Sequence, residues 1–81
     1  MFINKTNDGR NNLCGRVVAQ RRIEMKLSQR ELADRLQLHG LDIDKNAVQR
    51  IEVGKRFVID IELVVIAEVL SISLDKLLYP D

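Results

Sequence analysis

Leu27-Ser28-Gln29-Arg30-Glu31-Leu32-Ala33-Asp34-Arg35-Leu36 carries the strongest structural signal in the chain. Ser28 and Glu31 stand in capping-box register: the Ser hydroxyl can accept from the amide three residues on, while the Glu carboxylate reaches back to the Ser28 amide. A helix therefore starts here. Leu32, Ala33 and Leu36 fall at i, i+1 and i+4 on a core-facing side, and Gly40 offers a stop because glycine takes the left-handed conformation without steric cost. After Leu41-Asp42-Ile43, Asp44 is placed to cap a helix from Lys45 to Val53 with Val48 and Ile51 inward and Gly54 as its stop.

On the N-terminal side, Cys14, Val18 and Met25, with Val17 alongside, fit one face of an earlier helix over Leu13 to Lys26, whose opposite face carries Arg16, Gln20 and Glu24. Residues 4–12 hold no large apolar side chain and are rich in Asn, which favours turns, so residues 1–12 read as a flexible N-terminal arm ahead of a domain over 13–81. That arm carries two cations, Lys5 and Arg10. On the C-terminal side Asp60 opens a helix in which Leu63, Ile66, Ala67 and Leu70 make a core stripe, and Ser73 caps a short helix with Leu74, Leu77 and Leu78. Phe57-Val58-Ile59 is too short for a strand, and no segment alternates with period two. The expectation is an all-α, compact five-helix domain with no sheet.

The fourth helix has an apolar surplus. Ile61, Val65, Val69 and Ile72 form a second stripe roughly opposite the first, where a surface helix is normally polar. Either other parts of the chain cover this stripe or it is a subunit interface, with Ile72, Leu78 and Tyr79 as companions.

At 81 residues the chain has room for a single domain. Its 13 basic and 12 acidic residues leave a net charge of +1, but the charges are unevenly placed. Residues 1–56 carry twelve Lys/Arg against seven Asp/Glu, or +5, and residues 57–81 one against five, or −4, so the front two thirds attract anions. Cys14, the lone cysteine, cannot form an internal disulfide, and with His39 as the single histidine no zinc site is expected; His39 reads as a loop or helix-end residue and Cys14 as a small core residue. No metal, cofactor or catalytic constellation is expected, and the enzyme class is set aside. No apolar run approaches the roughly 20 residues needed to span a bilayer, and Met1-Phe2-Ile3-Asn4 lacks the pattern of a signal peptide. The setting expected is reducing and cytoplasmic.

The ordered set Leu27-Ser28-Gln29-Arg30-Glu31-Leu32-Ala33, then Val48-Gln49-Arg50-Ile51-Glu52-Val53-Gly54-Lys55-Arg56, then Ile66-Ala67 and Leu70, resembles the phage repressor and Cro-like (XRE-type) helix-turn-helix family over about residues 13–79. The resemblance implies a prokaryotic or phage regulator, nucleoid-associated, that binds double-stranded operator DNA, usually as a homodimer, with its third helix in the major groove. By the family's reading positions, Lys45, Asn46 and Arg50 would meet bases, with Gln49 next. The chemistry suits this, since Asn and Gln pair bidentately with adenine, and Arg or Lys with guanine. Ser28, Gln29 and Arg30 at a helix N-terminus, and Lys55 and Arg56 past the third helix, are the expected phosphate contacts. Arg22 and Glu52 match family positions that form an internal ion pair. The arm with Lys5 and Arg10 is then open to two readings, a disordered tail or a strand of chain along a DNA minor groove.

The spacing between the two motif helices departs from the family pattern. Ala33 and Glu52 are 19 positions apart, about five more than the short turn of such a motif gives, and the extra residues fall around Gln37 to Ile43. They are expected as an added turn on the second helix plus a longer loop. The function expected is sequence-specific repression at a palindromic operator. The rival is a protein-interaction adaptor or antitoxin that uses the fourth helix to grip a protein partner.

Overall fold

The computed structural model describes residues 4–80. Its elements are α1 (Gly15–Glu24), α2 (Gln29–Leu38), α3 (Lys45–Glu52), α4 (Asp60–Leu70) and α5 (Leu74–Leu78), with no strand among the described residues. The all-helical expectation holds.

The caps lie where the sequence placed them. Ser28 Oγ accepts from the Glu31 amide (3.0 Å) and Glu31 Oε1 from the Ser28 amide (2.9 Å). The bond from the Ser28 amide holds the exposed Glu31 carboxyl below its usual range. Asp44 Oδ1 accepts from the Ala47 amide at 2.8 Å, and Ser73 Oγ from the Lys76 amide at 3.2 Å. Each cap satisfies one of the amides a helix start leaves without an intrahelical partner.

The core gathers Cys14 and Val18 from the start of the chain, Leu32, Ala33 and Leu36 from α2, and Val48 and Ile51 from α3. Ile66, Ala67 and Leu70 from α4, and Leu77 from α5, close it. Burial pushes the Cys14 thiol up to about 11, as suits a small core residue without access to water. The extra length between α2 and α3 is part of this core. Gly40 turns the chain at φ +86°, after which Leu41 and Ile43 point inward while Asp42 and Asp44 face solvent. Gln37 Nε2 donates to the Ile43 carbonyl at 3.1 Å, tying the end of α2 to the loop.

α4 packs on α1, α2 and α5. Of the second stripe and its companions, Val69 is buried, and Val65, Ile72 and Leu78 are half-buried against the core. A helix apolar all round is a buried helix. The large apolar side chains of α4 that open to solvent, Ile61 at 67% and Val64 at 54% exposed, lie in its N-terminal half. Tyr79, beyond α5, is also exposed.

Part of the arm has partners in the fold. Residues 10–12, expected to be free, are hydrogen-bonded to the end of α3 and the loop behind it, and Asn12 is buried. The same Asn types that favour turns also carry amides able to bridge backbone groups. Residues 1–3 of the expected arm lie outside the described residues.

Candidate nucleic-acid interface

α3 has two unlike faces because its apolar residues sit three apart, at Val48 and Ile51, and both are buried. Lys45, Asn46, Gln49 and Arg50 occupy the other side, all exposed. The hydrogen bonds and ion pairs among the described residues involve none of these four side chains, so their donors and acceptors are available to a ligand. Such a polar, outward helix matches the donor and acceptor pattern of major-groove base edges.

What holds α3 is a network at its C-terminal turn. Glu52 Oε2 accepts from Arg22 Nε at 2.7 Å, and Glu52 Oε1 from Arg22 Nη2 at 3.1 Å and from Gln29 Nε2 at 3.0 Å. Arg22 Nη1 also donates to the Leu27 carbonyl at 2.8 Å. One carboxylate thus joins α1, the start of α2 and the end of α3, and the side chains of Arg22 and Glu52 are only 15% and 6% exposed. A planar guanidinium clamped by two bonds fixes direction as well as distance.

The expected phosphate contacts divide. Ser28, Arg30 and Lys55 are exposed, and the capping box leaves the Gln29 and Arg30 amides free for an anion. The Gln29 side chain is instead spent on Glu52, so only its backbone remains for a phosphate. Arg56 is not a free cation either. Its Nη1 and Nη2 each donate to Glu62 at 2.9 Å, and Glu62 also accepts from the Ile59 amide at 3.1 Å, at the start of α4. The Arg56 hydrogen bonds hold the Glu62 carboxyl below its usual range, against the opposing effect of burial. The basic pair Lys55-Arg56 looked uniform in sequence because its partner, six residues on, belongs to another helix.

Sequence reasoning missed Arg10, Asn11 and Asn12. A signal existed: Asn12 lies three residues before Gly15, and its Oδ1 accepts from the Gly15 amide at 2.9 Å, a local cap at the start of α1. Gly15 itself has a steric reason. A Cβ there would come within 2.0 Å of the Ile51 carbonyl oxygen, so the close approach of the start of α1 to the end of α3 requires a residue without a side chain.

A third helix with an exposed polar face beside a capped second helix, both tied to α1, is the arrangement of a helix-turn-helix domain. The profile of the helix-turn-helix family matches residues 18–77, and the chain belongs to that family, in its Cro/C1 (XRE) type. It is therefore a DNA-binding transcription regulator of the XRE type. No curated protein sequence matches the chain. No helix among the described residues is long and apolar enough to cross a membrane.

Proposed function

We propose that the protein is a repressor that binds a palindromic operator as a homodimer, in a cytoplasmic setting, with α3 in the major groove. The observation that carries this reading is the set Lys45, Asn46, Gln49 and Arg50, exposed together on α3 and without hydrogen-bond or ion-pair partners among the described residues. Asn46 and Gln49 read adenine, and Lys45 and Arg50 read guanine, through paired donors and acceptors. Ser28, Arg30 and Lys55, with the free amides at the start of α2, hold phosphates and set register without reading sequence. Repression needs nothing more than occupancy of the DNA.

Dimerisation is supported by the apolar surface left open at the start of α4, Ile61 and Val64, with exposed Tyr79 as a further apolar residue. A two-fold dimer presents two reading helices about 34 Å apart and so selects inverted half-sites one DNA turn apart. The test is enrichment from a randomised duplex library, followed by affinity against salt and sedimentation with and without DNA. An enriched palindrome, a steep salt slope and a dimer on DNA are expected. A monomer with no enriched sequence, whose only partner binding is insensitive to salt, would replace this reading with the protein-interaction module.

A further inference from the structure

The last four carbonyls of any helix lack intrahelical partners, and for α3 they point away from the reading end. In this chain the amides of residues 53–56 meet the Gln49, Arg50 and Ile51 carbonyls, and residues 10–12 add donors to the last two, Ile51 and Glu52. Arg10 Nη2 donates to the Glu52 carbonyl at 2.8 Å, and Asn12 Nδ2 to the Ile51 carbonyl at 3.1 Å. The strap continues over the following loop: the Asn11 amide donates to the Gly54 carbonyl (2.7 Å), Asn11 Nδ2 to Lys55 (2.9 Å) and Asn12 Nδ2 to Arg56 (2.7 Å). Because Asn12 Oδ1 also accepts from the Gly15 amide, one buried side chain binds the start of α1 to the end of α3.

Arg10 is set in place from its own side. Its amide donates to Thr6 Oγ1 at 2.9 Å and its carbonyl accepts from the Thr6 amide at 2.8 Å, closing a turn. The guanidinium lies on Gly54, where a Cβ would come within 2.7 Å of Arg10 Cζ, and its charge suits the negative end of the α3 dipole. Arg10 is thereby taken up by α3 and is not held out for a minor groove.

We infer that Arg10, Asn11 and Asn12 are positioning residues for base reading, an assignment that rests on the α3 interface proposed above. The reason is leverage. The strap and the Arg22–Glu52 pair both grip the C-terminal turn, whereas the reading end follows a long inter-helix loop and is capped by Asp44 from that loop. From Glu52 back to Asn46 is about 9 Å of helix at 1.5 Å per residue. A tilt of about 10° at the strapped end would swing Asn46 by about 1.6 Å, beyond the roughly 0.5 Å tolerance of a preorganised site.

The test compares the full chain with Arg10→Met, Asn11→Ala and Asn12→Ala, measuring affinity for the enriched duplex and for a scrambled duplex at a temperature where each is folded by circular dichroism. The expected result is a fall in the enriched-to-scrambled ratio of about five- to a hundredfold, the range of one lost bidentate base contact. Affinity for the scrambled duplex and its salt slope change far less than the ratio, because the phosphate contacts at Ser28 and Arg30 do not depend on the strap and, of the three, Lys55 alone lies on the strapped loop. Ile66→Val, a core variant that touches neither surface, keeps the ratio while lowering the melting temperature. Should Asn12→Ala fail to fold, Asn11→Ala and Arg10→Met decide, since Asn11 loses only an exposed hydrogen bond and Met keeps much of the Arg10 stem. An unchanged ratio in the folded variants, or an equal fall on both duplexes, overturns the assignment alone. A wild-type chain that discriminates between no duplexes overturns the α3 interface with it.

Discussion

Substituting Glu52 by Gln removes the charge from the carboxylate that joins three helices while leaving its shape. In the folded protein Glu52 receives bonds of 2.7, 3.1 and 3.0 Å from Arg22 and Gln29, and its side chain is 6% exposed. Taking one partner from a buried pair costs about 3 to 5 kcal/mol, because the other charge stays in place without compensation. Two features pull the cost to the lower end. Arg22 keeps its bond to the Leu27 carbonyl, and Gln keeps one acceptor oxygen. About 3 kcal/mol results, a large share of the roughly 4 to 12 kcal/mol expected for a domain of 81 residues. At about 4 to 8 °C per kcal/mol, melting followed by circular dichroism should fall by about 12 to 24 °C. A double-mutant cycle with Arg22→Met isolates the pair: the double variant should recover part of the loss, since two uncharged side chains leave no buried charge unpaired. A fall below about 3 °C, or a coupling energy under about 0.5 kcal/mol, would show that the pair does not hold α3.

Three other outcomes follow from the same geometry. Gly15→Ala should destabilise by about 1 to 3 kcal/mol in urea unfolding, because its Cβ would overlap the Ile51 carbonyl and force α1 away from α3; stability equal to wild type would contradict that contact. The folded-state value of Glu62 is lowered, so its pair with Arg56 contributes fully above the ordinary value of 4.5 and is lost as pH falls through the lowered value. Glu62→Gln should therefore cost about 1.5 to 3 kcal/mol near neutrality, with the gap to wild type closing in acid, and a gap independent of pH would disprove the linkage. Cys14, buried with its thiol raised to about 11, should react with a thiol reagent only as fast as the domain opens, and rapid labelling of the native protein would place it elsewhere.

The helices were legible because their signals are local. A capping box at Ser28 and Glu31, a cap at Asp44 and glycines at 40 and 54 act within a few residues, so their spacing in sequence is their spacing in space. The outward face of α3 was legible for the same reason, since the buried positions Val48 and Ile51 leave Lys45, Asn46, Gln49 and Arg50 on the far side of a 3.6-residue period. Arg22 and Glu52, 30 positions apart, came from the family resemblance, since no local rule connects them.

Packing between distant segments settled the rest. Val69 looked like part of an outer stripe until α1, α2 and α5 closed around α4, because the periodicity of apolar residues describes one helix and not its neighbours. Gln29 and Arg56 had the right chemistry for phosphates, but folding brought Glu52 and Glu62 within hydrogen-bond distance and claimed both side chains. Arg10, Asn11 and Asn12 read as a polar arm because their partners are backbone carbonyls some 40 positions away, and a carbonyl has no letter of its own in the sequence. Capping and periodicity, written in the order of the residues alone, set which segments are helical and most of the faces they bury. Which polar groups remain free to meet DNA was set by the folded chain, because that depends on which of them have already been paired across it.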